Sequence, residues 1–332
     1  MNIYINTYGT YLHVKDELFE IRVKKDGEYQ KHHYAAKKLN NIIITTGAAL
    51  STDAVELANN HNVDILFLDR MGRPISRIWH SKFGSTSKIR KAQLKLSLSD
   101  KGLDYARRWV LGKIDNQLAL VRDLKKHRRP QKEFLDEKIM RMEELRASVE
   151  TLDLEKDFDP GATIRGLEGT TGRLYFETLS HVLLPQYKFN GRSSRPAEDQ
   201  FNAFLNYAYG IMYGRIERVL LIAGLDPYIG FLHRDDYNQT SFIFDFIEPY
   251  RIYCETVVFR LFTGKKVKKD HTDELGNGGY SLNKEGKQLL IEAFSKHFEQ
   301  DKIRYKNRNQ TRENALQMDA HEFANQIIKL NI

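Results

Sequence analysis

The hydrophobic period of this chain changes once, near residue 80, and that change limits the possible folds more than any other feature. Before it, short β-branched or aromatic runs occupy residues 2–5, 11–14, 18–24, 39–46, 63–68 and about 75–80. Gly9, Asp16, Asp26-Gly27, Gly47 and Gly72 punctuate them as turn residues do between strands. One helix is expected among these strands. Asp53 and Glu56 have the spacing of a capping box, Val55, Leu57 and Ala58 supply an apolar face, and Asn59-Asn60 stops it. From about Ile89 the period becomes helical, with Tyr105, Trp109, Gly112, Asn116 and Leu120 stepping by three or four. Further helical stretches are expected at 134–152, 163–184, 199–223, 242–262, 284–298 and 314–330. The expected fold class is therefore α+β. A small N-terminal β-rich domain spans 1–80, a linker spans 81–90, and a larger all-α helical domain spans 91–332.

Composition bears on compartment and partner. The 332 residues include one cysteine, Cys254, so no internal disulfide can form and a reducing compartment is expected. The N-terminal residues show no basic segment followed by an apolar stretch. The longest apolar runs, at 65–68 and 219–223, fall far short of the ~20 residues of a membrane span. A soluble, cytoplasmic chain is expected. Lys and Arg number 52 against 44 Asp and Glu, and the excess is local. Residues 81–132 hold 15 Lys and Arg and 4 Asp and Glu, which leaves the remainder slightly acidic. Such asymmetry points to a polyanion, nucleic acid first, with a solvated helix face as the alternative.

Three segments carry residue types suited to chemistry. In the first, Glu168 lies among Gly166, Gly169, Thr170, Thr171 and Gly172, with Tyr175 two turns further on. Each glycine costs a helix ~1 kcal/mol against alanine, so close approach of a backbone or a ligand is expected to select them. A tight helix–helix crossing with Glu168 exposed is the alternative. In the second, Gly224 and Pro227 break a helix and His233 follows an apolar stretch on a loop. In the third, Asp245 and Glu248 stand three residues apart among large apolar and aromatic neighbours. Buried carboxylates need cations: Arg251 can offset one, and a metal the other. An Asp–Arg and Glu–Arg network without metal is the alternative there. Glu168, His233 and Glu248 together offer two carboxylates and an imidazole and no thiolate, a set that suits Mg²⁺ or Mn²⁺ better than zinc. No phosphate-binding GxxxxGK[ST] loop, HExxH or GxSxG sequence occurs.

These segments, in this order, closely resemble the CRISPR adaptation integrase, the first-numbered family of the CRISPR-associated endonuclease series. The matching residues are Gly166-Leu167-Glu168-Gly169 with Tyr175, then Asp199, Asn202 and Tyr209, then Gly230-Phe231-Leu232-His233, and Ser241, Asp245, Glu248, Pro249 and Arg251. Tyr280-Ser281-Leu282-Asn283 with Gly286-Lys287 is similar as well. The resemblance implies a metal-dependent DNA integrase or endonuclease that joins the 3′-OH ends of a short spacer duplex to a CRISPR repeat by transesterification. It implies catalytic residues Glu168, His233, Glu248 and Asp245, with the first three as ligands of Mg²⁺ or Mn²⁺ and Asp245 supporting them or serving as an alternative ligand. Tyr175, Asn202 and Arg251 would support the site. Arg107, Arg108, Lys125, Lys126, Arg128, Arg129, Arg192 and Arg195 would meet the phosphate backbone of double-stranded DNA, spacer precursor and repeat alike. The implied assembly is a homodimer, formed through the N-terminal domain, which also contacts the DNA end. Two dimers hold a small ferredoxin-like adaptation partner in a heterohexamer. The chain departs from the family pattern at Thr170-Thr171-Gly172, where alanines are common, at Asn206, where serine is usual, and at Arg195-Pro196, which carries one proline where two are frequent. Two readings remain beside integration: a structure-specific nuclease acting on branched DNA in repair, and a non-catalytic DNA-binding scaffold.

Overall fold

The computed structural model describes residues 1–25, 27–69, 72, 74–78, 86–233, 239–276 and 278–330. The chain divides into two compact units: Met1–Gly84 with Tyr209–Arg218, and Ser85–Ala208 with Val219–Ile332.

The first unit holds two four-stranded sheets. One is ordered β1 (Asn2–Ile5), β5 (Asn41–Ile44), β7 (Asp64–Leu68), β8 (Pro74–Ile78), with the first three strands parallel and β8 antiparallel to β7. All four residues of β5 are buried, as befits a central strand between parallel neighbours. The other sheet is ordered β4 (Glu28–Ala35), β3 (Leu18–Lys25), β2 (Thr10–Lys15), β6 (Ala48–Leu50). Asp16 and Glu17, both at positive φ (50° and 58°), turn β2 tightly into β3, so that Val14 pairs with Phe19. Leu12, Phe19, Ile21, Ile42, Ile44 and Ile65 form the core together with Ala54 and Ala58 of α1 (Thr52–Asn60). The cap of α1 is not the expected Asp53 box: the hydroxyl of Ser51 accepts the Ala54 amide at 3.2 Å.

The sequence pattern lacked β4 and β6. Strand β4, Glu-Tyr-Gln-Lys-His-His-Tyr-Ala, has no alternation of polarity, because it is an edge strand exposed along most of its length. The expected linker 81–90 is corrected in its second half. Residues 81–85 lie outside the described residues, as do 79–80 at the end of the expected last strand, but Thr86 already opens α2 (Thr86–Ser97).

The second unit is built around α3 (Asp100–Lys126). Its buried face runs Ala106, Val110, Lys113, Ile114, Gln117, Leu118, Val121, at helical spacing. The same unit holds α4 (Lys132–Glu150), α5 (Pro160–Val182), the parts of α6 (Gln200–Ile222) outside 209–218, α7 (Ser241–Phe246), α8 (Arg251–Thr263), α9 (Lys284–Ser295) and α10 (Arg312–Ile327), of which α4, α5, α7 and α8 pack directly on α3. The expected continuous helix 242–262 is broken. A 3₁₀ turn at Glu248–Tyr250 separates α7 from α8, because Pro249 has no amide to donate to a helical ladder. The unit is not all-α either. Two hairpins, β9 (Thr272–Glu274) with β10 (Tyr280–Leu282) and β11 (Lys302–Tyr305) with β12 (Arg308–Thr311), interrupt the helices. Strands of three and four residues are too short to show a period. Among the described residues no helix is long and apolar enough to cross a membrane.

Candidate active site

Packing on α3 sets the site. Trp109 packs at ring-centroid distances of 5.7 Å, tilted on Phe231 and edge-to-face on Phe242 and Phe246, and at 5.3 Å edge-to-face on Phe323 of α10. This aromatic cluster brings the 231–233 segment and α7 to the same stretch of helix. One turn on, Gly112 permits close approach of the 3₁₀ turn, since a Cβ there would stand 3.2 Å from Cβ of Pro249. Asn116 closes the junction by donating its amide to the Pro249 carbonyl at 2.8 Å. Between Gly112 and Asn116 comes Lys113, buried and pointed at two carboxylates.

Lys113 joins Glu168 of α5 to Glu248. Its ammonium donates to Oε1 of Glu168 and lies 2.8 Å from Oε2 of Glu248. Arg251 grips the other oxygen of Glu248, with Nε and Nη2 both 2.9 Å from Oε1. Burial opposes ionisation of Glu248, but Arg251 and then Lys113 outweigh it and hold its pKa below the usual carboxylate range. The same balance works on Lys113: burial disfavours the ammonium, while Glu248 and then Glu168 overcome that and raise its pKa.

Asp245 works differently from Glu248, although the two are three residues apart. Its Oδ2 accepts the amides of Phe231 at 2.6 Å and Leu232 at 3.1 Å, and its Oδ1 accepts that of His233 at 3.1 Å. Nδ1 of His233 lies 2.6 Å from the same Oδ1. A carboxylate can only accept, so Nδ1 carries the proton of this contact and Nε2 is the ring nitrogen left outside it. Asp245 thus sets the backbone and tautomer of the His233 loop, whereas Glu248 is paired with Arg251. Gly230 is required beside it: a Cβ would fall 2.6 Å from Cβ of Ser241 and 3.1 Å from Oδ2 of Asp245. Residues 234–238 lie outside the described residues.

The glycines around Glu168 do not serve a helix crossing. Among the described residues, a Cβ on Gly166, Gly169 or Gly172 would meet nothing within 4 Å, so that no described side chain or backbone packs on those positions of α5. Tyr175 is fully buried with its ring edge-on to Phe176 at 5.1 Å. Asn202 is buried too, and it locks the 191–193 loop. It donates to the Gly191 carbonyl at 2.9 Å and accepts from the Ser193 amide at 3.1 Å and from Nη1 of Arg192 at 3.0 Å. Asn206, the departure from the family pattern, accepts from Nη2 of the same arginine.

The basic residues differ in how free they are. Arg107 is partly buried, paired with Asp104 and donating to the Leu152 carbonyl at 3.0 Å. Arg108 is exposed beside Asp104 and Tyr105, and Lys126 beside Asp123 at 3.3 Å. Lys125 pairs with Asp136, and Arg128 lies over the Phe259 ring at 5.8 Å. Arg129 and Arg195 are exposed.

Among the described residues no three His, Cys, Asp or Glu side chains stand together as a ready metal-ligand group. Two features of the donor set nevertheless suit a hard divalent ion. The carboxylates of Glu168 and Glu248 converge on one cation, and Glu248 is buried with its Oε2 facing the Lys113 ammonium at 2.8 Å.

Sequence reasoning missed Lys113. The signal was present: the residue falls three after Val110 and four before Gln117, on the buried stripe, where a lysine requires an acidic partner.

Comparisons with known proteins agree with this architecture. The model of the family described as CRISPR associated protein Cas1 matches residues 3–296. Over 320 residues the chain is 30% identical to the CRISPR-associated endonuclease Cas1 1 of Archaeoglobus fulgidus, covering 93% of this chain and 91% of that protein. In fold it is similar to a casposase bound to integration product, with a TM-score of 0.84 at 21% identity, over 100% of this chain and 92% of that one. It is also similar to a Cas6-RT-Cas1–Cas2 complex, with a TM-score of 0.77 at 19% identity, over 98% of this chain and 35% of that longer one.

Proposed function

The chain belongs to the Cas1 family, and from that premise we propose that it is a metal-dependent DNA integrase of CRISPR adaptation. It joins the 3′-OH ends of a short spacer duplex to the strands of a CRISPR repeat. The observation that carries this reading is the convergence of Glu168, from α5, and Glu248, from the turn after α7, on a single buried cation position.

Glu168, Glu248 and Nε2 of His233 are the groups that would hold Mg²⁺ or Mn²⁺. When bound, such an ion supplies charge neutralisation at the phosphodiester and acidifies the attacking hydroxyl. Arg251 pins Oε1 of Glu248, which leaves Oε2 facing the cation position that Lys113 fills. Asp245 keeps His233 in the tautomer with Nε2 unprotonated. The open glycine face of α5 leaves room for a DNA backbone to approach Glu168. In the reaction the spacer 3′-oxygen forms a bond to the repeat phosphorus, and the 3′-oxygen of the cut repeat strand leaves. One phosphodiester replaces another, so the protein's contribution is positioning and charge stabilisation.

Exposed Arg108, Lys126, Arg129 and Arg195 are the best placed of the basic residues to meet phosphates, in a contact that weakens steeply with salt. Arg107, Lys125, Arg128 and Arg192 would have to exchange present partners to do so. The working assembly in this reading is a homodimer joined by a small ferredoxin-like partner in a heterohexamer, in the cytoplasm.

The word endonuclease in the name of the Archaeoglobus relative favours a second reading, in which water replaces the 3′-OH and branched DNA is cut. One experiment separates the two. A labelled short duplex, a supercoiled plasmid carrying a CRISPR repeat and the small partner are incubated with Mn²⁺ and either wild type or Glu168→Gln. Joined product that falls by on the order of 10²-fold in the variant supports integration. Cutting without joining by the wild type supports the nuclease, and joining that survives the substitution overturns the site.

A further inference from the structure

Lys113 is the group at this centre whose role the carboxylate–histidine set leaves unexplained. As they stand these four groups are electrically neutral together, with two carboxylates, Glu168 and Glu248, facing two cations, Lys113 and Arg251. A divalent ion placed between the carboxylates raises the local charge to that of a dication, in a setting where Glu248 and Lys113 are buried. Arg251 cannot relieve this charge, because two of its nitrogens hold one oxygen of Glu248. Nor can α3 withdraw, since Gly112 and Asn116 tie it to the Pro249 turn. The side chain of Lys113 can move on its flexible four-carbon stem. The nearest source of compensating negative charge in the proposed reaction is DNA phosphate.

We propose that Lys113 is the resident cation of the centre, holding Glu168 and Glu248 together in the place a divalent ion takes, and that it turns to DNA phosphate when ion and DNA bind together. The inference rests on the reading of Glu168 and Glu248 as ligands. It makes divalent-ion binding weak in the absence of DNA and strongly coupled to DNA, and the coupling is reciprocal. Removing the ammonium uncouples the two. The ion then binds tightly by itself, because Glu168 and Oε2 of Glu248 no longer face an ammonium, while Arg251 still holds Oε1.

The test is Mn²⁺ binding, read from the electron paramagnetic resonance signal of free Mn²⁺. The full chain is titrated with and without a short duplex bearing 3′-OH ends. Wild type is expected to bind Mn²⁺ about 10-fold or more tighter with DNA present. Lys113→Met is expected to bind it about 10-fold or more tighter than wild type without DNA, with little further gain on adding it. Lys113→Arg, which keeps a cation there, is expected to show no such gain. Wild-type affinity that DNA leaves unchanged overturns the inference without recourse to any variant. A folded Lys113→Met whose DNA-free affinity is within about twofold of wild type overturns it as well. The control is Glu168→Gln. If that change leaves Mn²⁺ binding intact, the ligand reading itself fails. If it abolishes binding while Lys113→Met has no effect, only the role of Lys113 fails.

Discussion

Asp245 is the residue on which the His233 loop depends, and its removal gives a prediction whose size follows from its contacts. The carboxylate accepts three backbone amides and one imidazole N–H, at 2.6–3.1 Å, and is almost wholly buried. A hydrogen bond to a charged group contributes ~1.5–3 kcal/mol, and a buried donor left without a partner costs ~1–3 kcal/mol. The Leu232 amide lies inside, whereas Phe231 and His233 are half-buried, so water can serve the latter two after the change. Asp245→Ala should therefore destabilise the protein by about 3–5 kcal/mol, and Asp245→Asn, which keeps one acceptor, by about 1–3 kcal/mol. At ~2–4 °C per kcal/mol for a unit of this size, the alanine variant should melt about 6–20 °C lower. His233→Ala removes one partner of four and should cost less than Asp245→Ala. Combined with Asp245→Ala it should add little, since the interaction is already lost. The assay is thermal and urea unfolding in the presence of a chelator, so that ion binding does not intrude. A stability for Asp245→Ala within about 1 kcal/mol of wild type would refute the assignment.

Three smaller predictions concern other parts of the same unit. Burial, followed by Arg312 and Arg260, lowers the pKa of His297 from 6.5 to about 4, so between those values the unfolded chain takes up a proton that the folded chain refuses. Stability should then fall by about 2–3 kcal/mol as pH drops through that window, and His297→Gln should flatten the fall in a series of urea melts. Gly230→Ala forces a methyl against Ser241 and Asp245 and should cost about 1–3 kcal/mol in the same melts, whereas Gly169→Ala, on an open face, should not. Cys254 is fully buried, and burial pushes its thiol far above the ordinary range, so a thiol reagent should label it only as the protein unfolds.

The sequence carried the division of the chain because the hydrophobic period itself changes near residue 80, and period is what separates a strand from a helix. Within the β-rich part, β1 to β3, β5, β7 and β8 were legible from their β-branched and aromatic runs. Strand β4 was not, since an exposed edge strand has no buried face to write into its pattern. The cap at Ser51 was hidden behind a better-known spacing, Asp53 with Glu56. Residues 242–262 read as one helix because both halves share a period, and a single proline decides where it breaks. At the site, the type and spacing of Asp245 and Glu248 showed two buried acids needing compensation, but not that backbone amides would satisfy one and a lysine from α3 the other. Partners that lie 133 residues away, such as Asn116 and Pro249, leave no local trace. Lys113 leaves only the weak one of a charge on an apolar stripe.

The most direct test of the account is the position of the ion. Crystals of the full chain grown with Mn²⁺ and a duplex bearing 3′-OH ends, measured at a wavelength where manganese scatters anomalously, would show it as a single peak. The account predicts that peak within coordination distance of Glu168, Glu248 and Nε2 of His233, with the ammonium of Lys113 displaced from both carboxylates. A peak elsewhere, or one that touches Asp245 in place of Glu248, would contradict it.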